Sequence, residues 1–365
     1  MSRLSRWFHV VWVEPAHDWR STTLERPRPS NEMEIYRPEW WLPKLYRPQW
    51  LADQLESIRL RRARARLKRK GCRKILLYLW RPNFSVALSA IPHDLSCYHI
   101  DDEYSFSAVE QPLSAEEVYV LQRVDHVFIH SQGLFEKKGH INPNTTLVPN
   151  GVDYGAFSSP VAEPTDMASI PHPRIGYMGY IKTQLDYKLL LDLVQLHHSW
   201  SFVFVGPQGF LSPEDQALIQ RMGTYPNVHF LGKKPVTALP AYTQWMDVCI
   251  MPYKINDYTK FIFPMKLHEY LATGRPVVGA PIRSLQAFEH VVTLATTSSE
   301  WSHALQQALT GTGQTEREIV LRQQVARRYD WGILVRQIAE KICAHFGKPL
   351  PTTAPAQTPL SRDRG

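Results

Sequence analysis

The sequence predicts an α/β protein built as two doubly wound domains facing across a cleft. Three observations carry that expectation. The chain has 365 residues, which is long for one domain and comfortable for two. Short apolar runs end in turn residues and alternate with helical patterns, as in parallel sheets. A proline-rich stretch at 154–173 interrupts the pattern, which then restarts.

In order along the first half, residues 10–13 (VVWV) read as a strand ending at Glu14-Pro15. A basic helix follows, then strands at 74–78 (KILLY), 96–100 (SCYHI), 126–129 (HVFI) and 146–148 (TLV). These end at polar or turn residues, among them Asp101-Asp102-Glu103, His130-Ser131 and Pro149-Asn150-Gly151. The stretch 154–173 holds Pro160, Pro164, Pro171 and Pro173, the composition of a domain boundary. The second half has strands at 174–178 (RIGYM), 201–205 (SFVFV), 228–231 (VHFL), 247–251 (DVCIM) and 276–278 (PVV). An amphipathic helix at 331–346 closes the pattern, and the proline- and threonine-rich residues after 346 read as a disordered tail. The expected domains are thus 1–153, a linker 154–173, 174–330, the helix 331–346 and the tail 347–365. Ligands of such sheets sit at the carboxyl ends of the strands.

Composition narrows the classes. No run approaches the roughly 18 apolar residues of a membrane span, and the start shows no secretory signal. Cys72, Cys97, Cys249 and Cys343 are scattered without a CxxC pair, against zinc and a disulfide framework and in keeping with a reducing cytoplasm. The net charge is +8, yet residues 59–74 (RLRRARARLKRKGCRK) alone hold ten basic residues and no acid, so the remainder carries −2. Anionic membrane surface, an anionic lipid-linked substrate and nucleic acid all suit such a run, as does a solvated helix with no partner. Nucleic acid fits worst, because no reading motif or interleaved aromatics accompany it.

The segment 263–278 (FPMKLHEYLATGRPVV) is the densest in chemistry. Pro264 suits a helix start and Gly274 the left-handed residue after its end. Lys266 and Glu269 are three apart and share a face, while Leu267 and Leu271 share another. A helix N-terminus with a lysine attracts phosphate, and a carboxylate accepts from sugar hydroxyls. An ordinary amphipathic helix with a surface ion pair has the same spacing.

Order and spacing over roughly 96–340 add a resemblance. VPNGVD (148–153), IGYMG (175–179), FVFVGP (202–207), NVHFLGKK (227–234), LPAYTQWMDVCIMPY (239–253) and FPMKLHEYLATGRPVVG (263–279) occur in series. Singly they are unspecific; together they resemble retaining bacterial glycosyltransferases of the GT-B fold, with the family-one and family-four type of C-terminal domain. The resemblance implies two Rossmann-like domains and a nucleotide-diphosphate sugar as donor substrate, with no separate cofactor and no metal. Glu269 would meet the ribose, Lys266 and the amides around Leu267 the diphosphate, and Gly232 with Lys233 the base. Gly179 would let the backbone approach the phosphates, with Lys182 as a second cation. Asp102 lies across the cleft, where it would meet the acceptor or hold a loop. The implied acceptor is a glycan or lipid-linked glycan in surface polysaccharide synthesis, with the chain cytoplasmic and peripheral at the inner membrane face through residues 59–74.

Two departures matter. Many relatives carry a second glutamate eight positions before Glu269; here that position is Phe261, and Thr259 is the nearest match to the hydroxyl residue usual in the preceding loop. Relatives also begin with a strand and a Gly-rich loop ahead of the helix that leads into VEP. This sequence starts near that helix's end (RLSRWFHVVWVEP, 3–15), so the expectation is a first domain lacking its usual first strand, through a start placed too late or, alternatively, an incomplete first domain. A non-catalytic glycosyltransferase-like subunit that binds a partner is the alternative these departures leave open. A nucleotide-sugar epimerase of the same architecture would need acidic and histidine catalytic residues that the sequence does not place.

Overall fold

The computed structural model describes residues 2–16, 33–310 and 314–351. Strands β1 (Val11–Val13) and β2 (Glu34–Tyr36) form a parallel pair of their own. Strands β3 (Leu76–Leu79), β4 (Leu95–Ile100), β5 (His126–Ile129) and β6 (Thr145–Leu147) make a four-stranded parallel sheet in that order. Strands β7 (Arg174–Met178), β8 (Ser201–Val205), β9 (Val228–Gly232), β10 (Val248–Met251), β11 (Val277–Gly279) and β12 (Thr293–Leu294) make a six-stranded parallel sheet, ordered β12-β11-β10-β7-β8-β9. Ten of these twelve strands stand within a residue or two of their sequence-predicted positions. The pair β2 and β12 escaped prediction because three and two residues give no readable alternation. No strand precedes β1 among the described residues; Ser2–Arg6 is a 3-10 helix.

The central strands are apolar on both faces because helices cover both. All residues of β4, β7, β8 and β10 are buried, as parallel sheets require. The order of the larger sheet reverses between β10 and β7, and the carboxyl end of β7 opens on that switch point.

Two expected boundaries are more tightly packed than composition suggested. Within 154–173, Met167 and Ile170 are buried in the second core. Arg174, 2 % exposed, donates to both their carbonyls and pairs with Glu163 at 2.6 Å. The final helix Trp331–His345 crosses back to the first domain, burying Leu334, Ile338 and Ile342 with Leu95, Cys97 and Phe128. The two crossings meet: Val152 donates to the Tyr329 carbonyl and Trp331 to the Val152 carbonyl. Gly151 sits in this junction, where a Cβ would lie 2.7 Å from the Tyr329 oxygen. Of the predicted tail, residues 352–365 lie outside the described residues, while Leu350 packs on the first-domain core.

Candidate functional site between the two sheets

The helix Met265–Thr273 organises the site. Pro264 is its N-cap, with an extended backbone and no capping side chain, so the first-turn amides of Met265 and Lys266 have no side-chain partner. The Leu267 amide is already given to the Pro264 carbonyl. Gly274 is left-handed at φ 76° and ends the helix. Leu267, Tyr270 and Leu271 point into the core with no exposure, which orients the opposite face of the helix toward the cleft. Leu267 is therefore a core anchor, with no side-chain contact to offer a ligand. His268 is also wholly buried, stacked on Tyr329 at 3.8 Å. Burial pushes its imidazole down to about 3.

Lys266 donates to the Tyr253 hydroxyl at 3.0 Å and lies 5.1 Å from the Tyr177 ring centre. Burial opposes its charge, but Tyr177, Tyr253 and Glu269 outweigh burial and hold its pKa above the ordinary lysine value. Glu269 shares this face. Burial raises its carboxyl pKa despite the attraction of Lys266, and the carboxylate has no hydrogen bond among the described residues. A desolvated acid without a donor is poised for one from outside.

The turn after β7 comes down on the lysine. Gly179 has φ 141°, donates to the Val205 carbonyl at 2.8 Å, and a Cβ there would sit 2.9 Å from Lys266 Cε. Gly206, after β8, has φ 148°, and its Cβ would lie 2.1 Å from the Gly179 oxygen. The sequence reading passed over Gly206 as a site residue, although its place just after a strand matches that of Gly179. The two turns stack so closely that only glycine fits either.

Lys182 is half-buried on the loop after β7. Burial lowers its pKa, the Lys266 charge lowers it further, and Asp102 acts the other way. Asp102 comes from the first domain, beyond β4. Burial raises its carboxyl pKa, against hydrogen bonds from Tyr258 at 3.0 Å and from the Glu103 amide at 2.8 Å. The fold thus brings Lys182, Lys266 and Asp102 into one electrostatic group across the cleft. Gly232, at the end of β9, has φ 66° and open space where a Cβ would be, with exposed Lys233 next to it. Asp186 caps the helix Tyr187–Leu196, its carboxylate accepting from the Leu189 amide.

The loop before the helix departs from expectation. With no glutamate at 261, the sugar contact falls to Asn256, Asp257, Tyr258, Thr259 or backbone amides of this loop, and of these Thr259 has no exposure. Its hydroxyl donates to the Lys254 carbonyl at 2.7 Å and accepts from the Asn256 amide at 3.0 Å. The hydroxyl ties the loop's own backbone, a use that sequence spacing cannot distinguish from ligand contact. Phe261, in the position of the absent glutamate, is buried in the first-domain core. Ser131 donates to its carbonyl at 2.5 Å while capping the helix Gln132–Lys138 by accepting from the Leu134 amide. Gly133 packs against the same loop, a Cβ there lying 2.7 Å from the Lys260 oxygen. Ion pairing of Lys260 with Glu110 at 2.5 Å adds to this dock. A cleft of about 480 Å³ opens beside the loop, lined by Asn256, Lys260, Pro281 and Arg283 among others.

Residues 172–311 match the family described as Glycosyl transferases group 1. That range contains Gly179, Lys182, Gly206, Gly232, Lys266 and Glu269. Residues 172–311 are thus similar to a group 1 glycosyl transferase domain. The chain is 31 % identical over 247 residues to TuaH of Bacillus subtilis (strain 168), carried under the name of a teichuronic acid biosynthesis glycosyltransferase. That match takes in 62 % of this chain and spans 58 % of the length of TuaH. Among solved structures, sucrose-phosphate synthase from Thermosynechococcus elongatus superposes with a TM-score of 0.66 at 16 % identity, covering 93 % of this chain and 89 % of that one. Anabaena HepE in complex with UDP-glucose gives 0.66 at 18 % identity, covering 86 % of each chain. At those identities the likeness speaks for the fold, which is GT-B: two Rossmann-like domains, the second holding the residues matched by the group 1 family.

Proposed function

We propose that this protein moves a sugar from a nucleotide-diphosphate sugar to a glycan or lipid-linked acceptor, with retention at the anomeric carbon, in surface polysaccharide synthesis. The observation that carries the reading is the face formed by Lys266 and Glu269 beside an uncapped helix start, with Gly179 pressed onto the lysine. Lys266, Lys182 and the first-turn amides meet the diphosphate, while the Glu269 carboxylate accepts from the ribose hydroxyls. Gly232 and Lys233 border the space left for the base.

As the bond from the anomeric carbon to the diphosphate breaks, negative charge gathers on the leaving group and the sugar becomes oxocarbenium-like. Two lysines and a helix start stabilise that charge in place of a bound cation. The acceptor hydroxyl attacks from the leaving-group face, and its proton passes to the departing phosphate oxygen. Asp102, across the cleft and hydrogen-bonded by Tyr258, orients the acceptor hydroxyl. The protein works in the cytoplasm at the inner membrane face, where the basic run 59–74 meets anionic lipid. The UDP-glucose complex of HepE makes UDP and UDP-sugars the first probes.

The test is calorimetric titration of the purified protein with UDP and UDP-sugars, followed by donor turnover with the product anomer read by NMR, with and without EDTA. Binding in the micromolar range and an anomer matching the donor are expected. Absence of binding to any nucleoside diphosphate defeats the reading, and an inverted product defeats its stereochemistry.

A further inference from the structure

The basic run is more internally committed than its charge suggests. It lies on the helix Gln49–Arg69 and the turn after it. Arg59, 4 % exposed, donates to the carbonyls of Leu42 and Pro43 and pairs with Glu56. Arg62 pairs with Glu39, Arg66 and Lys70 both reach Glu34, and Arg64 takes the Pro92 carbonyl. These bonds clamp residues 34–43 along the helix.

What they hold in place is a set of bare indoles. Trp40 is 77 % exposed, Trp41 51 % and Trp50 67 %. On the helix, Gln54, Ile58 and Arg61 follow Trp50 at steps of four, four and three, so they share its face, and all three are exposed. Arg62, beside Arg61, places its guanidinium 4.9 Å from the Trp41 ring centre, which joins the helical stripe to Trp40 and Trp41. Across residues 37–62 cations outnumber acids six to three. All three acids are engaged: Glu39 by Arg62 and Tyr36, Asp53 by Gln49, Glu56 by Arg59.

We infer that Trp40, Trp41 and Trp50 are the membrane anchor of this protein, seated in the headgroup interface of an anionic phospholipid bilayer. This deepens the membrane-face part of the proposed function and rests on it. Large apolar side chains left exposed together over residues 40–58, Trp40, Trp41, Trp50 and Ile58 among them, mark an interaction site. The indole, with an apolar body and one N–H, suits a half-wet interface. The cation excess at the margins complements anionic headgroups, worth about 1 kcal/mol per Lys or Arg near such a surface. The basic run builds the platform and draws it to anionic headgroups, and the indoles enter the interface.

The experiment uses the full chain with vesicles of phosphatidylglycerol and phosphatidylcholine, against vesicles of phosphatidylcholine alone. Partition is read by co-sedimentation and indole depth by quenching from acyl-brominated lipid. Wild type partitions onto the anionic vesicles with quenched indole emission. W40A/W41A/W50A, at exposed positions, loses at least tenfold in partition and loses that quenching, while its UDP affinity stays at the wild-type value. R69Q/R73Q, which removes two exposed charges away from the stripe, costs less than threefold. Equal partition of the triple variant, or vesicle binding without quenching, overturns the inference in favour of charge alone. Concentration-dependent dimers that the triple variant abolishes, with no vesicle binding, overturn it in favour of self-association. Failure of UDP binding in wild type would strike the transferase reading and leave the vesicle result standing.

Discussion

Glu269→Gln separates a ligand-binding carboxylate from a structural ion pair. In the folded protein burial raises the Glu269 pKa even though Lys266 stands on the same face. Desolvation therefore outweighs the attraction, and ionised Glu269 costs the fold stability. The sign follows from linkage: a carboxyl with a folded pKa above its unfolded one destabilises the fold above that range, and the cost vanishes when pH falls below both values. Glutamine keeps the shape and one acceptor but removes the charge, so folding should gain about 1 kcal/mol at pH 7. The same change removes a charge-assisted acceptor for the donor's hydroxyls, worth about 1.5 kcal/mol or roughly tenfold in Kd. Thermal melts at pH 7 and pH 4, with UDP-sugar calorimetry, provide the assay. The variant should melt higher at pH 7, lose that advantage at pH 4, and bind donor about tenfold more weakly. A lower melting temperature with unchanged donor affinity would show that the carboxylate serves Lys266 alone, and the ligand argument would collapse.

Three further outcomes follow from the same geometry. Gly206→Ala sets a Cβ against the Gly179 oxygen at 2.1 Å with φ 148°, so overpacking and backbone strain should cost about 2 to 5 kcal/mol together; denaturant midpoints read this, and a change under 1 kcal/mol contradicts it. Thr259→Val keeps volume but strips the loop's internal hydrogen bonds, and should lower stability by about 1 to 3 kcal/mol while leaving the preference among UDP-sugars unchanged; a switched preference would restore Thr259 as a sugar contact. Burial holds His99 at about 3, His130 at about 4 and His268 at about 3. Because their folded values lie below the unfolded value near 6.5, stability is full above pH 6.5 and falls toward pH 5, by no more than about 4 kcal/mol per pH unit when three protons are taken up on unfolding; a flat stability profile over that window would mean the imidazoles are already charged in the fold.

The sequence alone determined the features that depend on neighbours along the chain. The parallel strands were legible as apolar runs closed by turn residues, and Gly274 was legible as a helix stop because a left-handed cap is a local need. Lys266 and Glu269 could be set on one face from a spacing of three. The Pro264 start was equally local, whereas the spacing that put Leu267 and Leu271 on one face did not show that this face is buried. What it left undecided was every matter set by distant partners. Thr259 and a sugar-binding threonine look alike in sequence, and only the fold turns this hydroxyl inward to Lys254 and Asn256. The basic run looked like free charge until Glu34, Glu39 and the carbonyls of Leu42 and Pro43 were brought against it, leaving Trp40, Trp41 and Trp50 outside. Asp102 and Tyr258 are 156 residues apart, and the helix Trp331–His345 returns to a sheet laid down more than 180 residues earlier. Spacing encodes helix faces and strand ends because those are fixed by backbone geometry, whereas charge pairing and burial across a cleft exist only once the chain has closed on itself.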